Sequence, residues 1–200
     1  MRLSDKFKRV AAGVAFSLMV PTLAHAAAPL PDHYKELFFA AAREGRPDLL
    51  AGMIKDGVPV DMRDSQGYTA LIIAAYDGQR PAVDLLLSLH ADPCAADSKG
   101  NTALMGTAFK GELEIAKLLA AHCDVNARNA NGQTAAMMAS LVGHSDFIKM
   151  LAERGADLSL KDNAGATATS VAQTQGNAQM VQLIASLSAP KPAPALSGSN

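Results

Sequence analysis

Cys94 and Cys123 are the only two cysteines of the chain, and each lies close to a histidine, His90 and His122. Two chemistries suit that set. The two sulfurs could join as a disulfide in an oxidising compartment, and with both histidines they form a nominal Cys2His2 group for zinc. No Cys-x-x-Cys or His-x-x-x-His pair occurs, so no metal site is assigned. A disulfide needs Cα atoms within ~7 Å. The cysteines fall in successive loops of a repeating helical array, where equivalent positions stand ~8–10 Å apart. The expectation is two unbridged thiols. One residue is missing from the repeat beside Cys123, and that shortening is the feature that could close the gap.

His90 and His122 stand where the repeat usually places a helix-ending glycine, a left-handed position that histidine tolerates. His144 follows Gly143 at a helix-to-helix turn and reads as a structural hydrogen-bonding residue. Met105, Met137, Met138 and Met150 fall on inward helix positions and read as adaptable core. No nucleophile elbow, phosphate loop, zincin motif or paired-carboxylate signature occurs. The chain reads as a non-enzyme with no cofactor.

The elements that carry these residues are copies of one unit. Gly67, Gly100, Gly132 and Gly165 stand 33, 32 and 33 residues apart. Two residues after each comes Thr69, Thr102, Thr134 or Thr167, and eleven residues after each comes Gly78, Gly111, Gly143 or Gly176. A period near 33 is that of a helix-pair solenoid. In the copy Asp97–Arg128, Asp97–Asn101 is a turn in which Gly100 supplies the positive φ. Thr102 can cap the following short helix, Ala103–Lys110. Gly111 ends that helix, and Leu113–Ala120 is a second one whose apolar stripe is Ile115, Ala116, Leu118 and Leu119. Solenoids have no central cavity for a catalytic constellation but present a long ridged surface, which suits binding.

The chain resembles the ankyrin-repeat family. The resemblance lies in Gly-x-Thr-Ala-Leu at Gly67–Leu71 and Gly100–Leu104, Gly143-His144, Gly155–Asp157, Leu113–Leu119 and Asp124–Ala127. It implies an all-α solenoid of about five helix-turn-helix units with β-turn fingers and a concave face that binds protein. The predicted units are an amino-terminal cap at 32–63, repeats at 64–96, 97–128 and 129–161, and a carboxy-terminal cap at 162–187. Departures include alanine for the usual proline after the turn threonine, and Ile72 and Met105 where the family often has histidine.

Family partners meet the end of each first helix. Here those positions read Tyr76-Asp77, Phe109-Lys110 and Leu141-Val142, so Tyr76, Phe109 and Leu141 are predicted to stack as an apolar ladder. Contiguous exposed apolar rows mark contact sites, and aromatic anchors concentrate interface energy. Gln66, Tyr68, Lys99, Asn101, Asn131 and Gln133, on the turns, are the predicted polar rim.

Residues 1–26 join a basic start (Arg2, Lys6, Lys8, Arg9), an apolar run over Val10–Val20 and a small-x-small Ala24-His25-Ala26, the layout of a cleaved secretory signal. Its removal takes four basic residues and one acidic one, leaving 14 Lys+Arg against 18 Asp+Glu. That acidic balance, without a basic stripe, argues against nucleic acid as a partner. No second apolar stretch is long enough to span a membrane. Residues 27–31 read as a leader, and 188–200, rich in Pro, Ala and Ser, as a disordered tail. The expected product is a periplasmic monomer that binds another protein.

A narrower resemblance is to small exported bacterial ankyrin proteins, some of which accompany periplasmic catalases in peroxide defence. It rests on Gly100–Gly106, Phe109-Lys110-Gly111 and the signal. The alternatives are an immunity protein masking a toxic periplasmic hydrolase, and a secreted effector.

Overall fold

A threonine hydroxyl opens the first helix of four successive helix pairs. Thr69, Thr102, Thr134 and Thr167 accept hydrogen bonds from the backbone N–H of Ile72, Met105, Met137 and Ser170, at 3.2, 3.3, 3.4 and 3.2 Å. Each satisfies a donor that the first turn would leave unpaired. The computed structural model describes residues 32–188. The signal, the leader and the tail beyond Ser188 lie outside the described residues.

Among the described residues, ten helices form five antiparallel pairs. They are α1 (Asp32–Arg43) with α2 (Pro47–Lys55), α3 (Ala70–Tyr76) with α4 (Arg80–Ser88), and α5 (Ala103–Lys110) with α6 (Leu113–Leu119). The remaining pairs are α7 (Ala135–Val142) with α8 (Ser145–Glu153), and α9 (Ala168–Thr174) with α10 (Ala178–Ser188). The first helices stack side by side from α1 to α9. Their alanines make this possible: Ala74, Ala75, Ala108, Ala136 and Ala139 are buried and keep the axes close. The second helices form the outer row, and among consecutive members α4 and α6 touch least. Between the rows runs one apolar core that includes Leu50, Leu71, Leu86, Leu119, Phe147 and Ile184. No helix among the described residues is long and apolar enough to cross a membrane.

Two devices recur along the stack. At the turn between the helices of the third pair, Gly111 takes φ 83° and ends α5, and the His144 ring of the next pair lies over it. A β-carbon there would stand 2.8 Å from His144 Cε1. The His144 side chain makes no cap hydrogen bond to α8, and its ring packs over Gly111. The hydrogen bonds expected here from sequence are made by its backbone, whose carbonyl accepts from the Phe147 and Ile148 N–H groups at 3.1 and 3.2 Å.

The second device builds the fingers. Asp64, Asp97, Asn129 and Asp162 each accept, on Oδ1, the N–H groups two and four residues ahead, at 2.8–3.0 Å. Neighbouring fingers are then tied by backbone bonds from Ser98 to the Gln66 carbonyl, from Ala130 to Lys99 and from Asn163 to Asn131, at 2.9, 2.8 and 2.9 Å.

One core position is out of keeping with the others. Ser140 in α7 is fully buried, and its hydroxyl has no hydrogen-bond partner among the described residues. The equivalent residues in the three preceding first helices are Ala42, Ala75 and Ala108. Burying a hydroxyl without a partner costs about 1–3 kcal/mol. Ser140→Ala is therefore expected to raise stability by about 1 kcal/mol in chemical denaturation. A loss of stability would show that the hydroxyl is satisfied after all.

Candidate functional site

On the face where fingers meet first helices there is a groove of about 440 Å³. Its walls come from consecutive pairs: Ile72, Ile73, Tyr76 and Asp77 from α3 and its end, and Met105, Gly106 and Phe109 from α5. Tyr68, Asp97, Asn101 and Thr102 close the finger side, and Arg43 and Met138 the two ends. The floor dips at Gly106. Ile73 and Met138 hold the equivalent position in the flanking helices, whereas a β-carbon at Gly106 would come 3.3 Å from the Tyr76 ring. The missing side chain lets Tyr76 lean over α5 and leaves the hollow beside it.

Tyr76, Phe109, Leu141 and Val142 are each 40% exposed. Tyr76 and Phe109 line the groove; Leu141 and Val142 lie on the surface outside it. The groove's edge is charged. Lys110 Nζ sits 5.0 Å from the centre of the Tyr76 ring, a cation–π contact worth ~0.5–1 kcal/mol when exposed. Arg43 Nε stands 3.9 Å from Asp77 Oδ2, a long pair that adds little to stability. Burial pushes the Tyr68 hydroxyl above its ordinary pKa, and the nearby carboxylates of Asp97 and Asp64 push the same way. It therefore stays a neutral donor at any physiological pH.

The rim divides in two. Gln66, Lys99 and Asn131 expose their side chains, while their carbonyls carry the finger ladder. Asn101 and Gln133 are committed to the fold. Asn129 Nδ2 donates to Asn101 Oδ1 at 2.8 Å and to Gln133 Oε1 at 3.2 Å, and Asn101 Nδ2 donates to Asp97 Oδ2 at 2.9 Å. Met138 is half-buried in the groove wall and not a core residue, unlike Met105, Met137 and Met150. Gly106 and Ile73 were missed from sequence. The available signal was a glycine inside a helix, where it is disfavoured by ~1 kcal/mol against alanine.

The cysteines depart most from expectation. Cys94 and Cys123 are joined in a disulfide, with Cα atoms 5.4 Å apart. The reason is that they are not equivalent positions. Cys94 matches Asp61 and Asn126 of the adjacent loops, whereas Cys123 matches Ala91. The unbridged expectation used the spacing of equivalent residues and so overstated the gap. The shortened loop contributes too. His90 keeps the left-handed conformation at φ 64°, but His122 does not, and Cys123 N–H closes directly onto the Leu119 carbonyl at 3.1 Å. With the sulfurs bonded to each other, no thiolate is left for zinc.

A family model for ankyrin repeats (three copies) matches residues 37–129 and again 104–192. A 66-residue segment is 44% identical to an ankyrin repeat-containing protein of Treponema pallidum (strain Nichols), covering 32% of this chain and 22% of that protein. A 59-residue segment is 42% identical to ankyrin repeat domain-containing protein 63 of Homo sapiens, covering 30% and 16%. A 79-residue segment is 37% identical to ankyrin repeat protein nuc-2 of Neurospora crassa, covering 38% and 7%. The matches thus span less than a quarter of each relative's length.

Proposed function

The chain belongs to the ankyrin-repeat family, whose repeats form protein–protein interaction modules, and on that premise we propose that it is a non-enzymatic module gripping a partner protein at the groove. The observation that carries this is the pair Tyr76 and Phe109, exposed in a row over a hollow that Gly106 leaves open. Exposed aromatics beside a concavity supply contact area at little entropic cost, and such anchors dominate binding energy. The proposed setting is the periplasm, where the module supports or protects an oxidative-stress enzyme of catalase type. The signal-like start and the Cys94–Cys123 bridge support an oxidising compartment.

The test uses the mature chain, Phe109→Ala and Gly106→Met as baits in periplasmic extract, with the captured enzyme assayed for survival in peroxide. Gly106→Met fills the hollow with the residue that α7 carries as Met138. Each variant is expected to fold and to bind at least about tenfold more weakly, as truncating or blocking a central anchor costs ~2 kcal/mol. The wild-type chain is expected to prolong the enzyme's activity. Equal capture by all three baits would move the contact site off the groove. A captured hydrolase that is silenced on binding would turn the reading to an immunity protein.

A further inference from the structure

Loops leaving the second helices are tied to one another along the stack, and the kind of tie changes in the middle. Asp61 Oδ1 accepts the Asp92 N–H at 3.0 Å, joining the first loop to the second. Asn126 Oδ1 accepts the Asp157 N–H at 2.8 Å, and its Nδ2 donates to the Gly155 carbonyl at 3.3 Å, joining the third to the fourth. Between the second and third loops the residue at that repeat position is Cys94, and the tie is its disulfide to Cys123. Cys94 Sγ also lies 3.5 Å from the carbonyl of His122, the residue that matches Gly155. A covalent bond that depends on redox state thus stands where the neighbouring junctions use hydrogen bonds that do not.

This junction has little else on its outer side, since α4 and α6 are the second helices that touch least. It is also the junction of the groove. Cys94 leads through buried Ala95 to Asp97, which organises the finger that carries Asn101 and Thr102. Cys123 leads to Asn129, whose amide holds Asn101.

We propose that the Cys94–Cys123 bridge is a redox-governed staple that sets the groove, holding the α3 and α5 walls in register when oxidised and releasing them when a dithiol reduces it. That it regulates partner contact rests on the groove being the contact site. Cys94 is exposed and Cys123 half-buried, so the attacking thiolate of the dithiol meets the Cys94 sulfur. A mixed disulfide forms at Cys94, and Cys123 leaves as a thiolate and takes a proton. The second thiol of the reductant then displaces Cys94, which is protonated in turn. The protein gains two electrons and two protons, and the dithiol becomes a disulfide.

Hydrogen exchange on the free chain tests the staple without any partner. Dithiothreitol is expected to speed exchange in Ala70–Tyr76, Ala103–Lys110 and the 97–101 finger by at least about tenfold, while α1 and α10 change less. Cys94→Asn/Cys123→Ala, which restores an acceptor for the Asp124 N–H, is expected to ignore the reductant and to exchange at a rate between those of the oxidised and the reduced wild type. Cys94→Ala/Cys123→Ala is expected to be fast in both conditions. Unchanged exchange at the groove on full reduction, or an equal rise along the whole stack, overturns the proposal.

With the partner, reduction is expected to weaken wild-type binding about tenfold and to leave the Asn/Ala variant unaffected. Equal affinity in both redox states, while Phe109→Ala still binds weakly, also overturns it. If the groove amides respond but Phe109→Ala binds normally, the staple stands and the groove as contact site falls.

Discussion

Phe147→Ala is expected to be the most damaging single truncation considered, at about 3–5 kcal/mol. The ring is 1% exposed, on α8, where the chain packs against α6, α7 and α10. Ile148 and Leu151 beside it are fully buried, so the rigid row around the ring cannot collapse into the space it leaves. The equivalent residues of α6 and α4 are Ile115 and Ala82, which shows how much of this junction's volume the one phenyl group supplies. For a domain of this size the thermal midpoint is expected to fall by roughly 10 °C, at ~2–4 °C per kcal/mol. Phe109→Ala makes the same chemical change at a ring that is 40% exposed and is expected to cost about 1 kcal/mol. The pair is therefore read together in thermal melts. Equal shifts for the two variants would show that the core and the groove are not distinguished as described.

Loss of the Cys94–Cys123 bridge is expected to have the next largest effect on stability. The bridge spans 29 residues, and by the chain-entropy account closing a loop of that length is worth about 3.5 kcal/mol. Cys94→Ala/Cys123→Ala should therefore melt well below the oxidised wild type, and the reduced wild type should melt close to that variant. The neighbouring junctions keep their Asp61 and Asn126 hydrogen bonds under reduction, so the loss belongs to the middle of the stack. Thiol titration of unfolded, unreduced protein is the companion measurement and should find close to no free thiols. Two free thiols per chain, or identical midpoints with and without reductant, would remove the bridge from any account of this fold.

Much of the architecture was legible in the chain because the repeat states it four times. The spacing of Gly67, Gly100, Gly132 and Gly165 sets the period, the threonines two residues on mark where first helices begin, and the helical stripe at Ile115, Ala116 and Leu119 marks what is buried. Each of these depends on contacts within about eleven residues of chain, so local chemistry determines it. The exposure of Tyr76, Phe109 and Leu141 follows from the same frame.

What the frame could not supply were departures from itself, where one copy meets the next. Gly106 looks like a weak helix residue until Tyr76 of the preceding pair is seen leaning over it. Asn101 and Gln133 look like a free rim until Asn129 is found holding both. Cys94 and Cys123 look too far apart when placed by equivalent positions, and a loop shorter by one residue joins them at 5.4 Å. The periodic sequence by itself determined the helix pairs, their caps and their buried faces, because those are set by neighbours along the chain. Only the tertiary structure decided the groove, the finger network and the bridge, because stacking brings together side chains about thirty residues apart, and a change of one residue in a loop alters which of them meet.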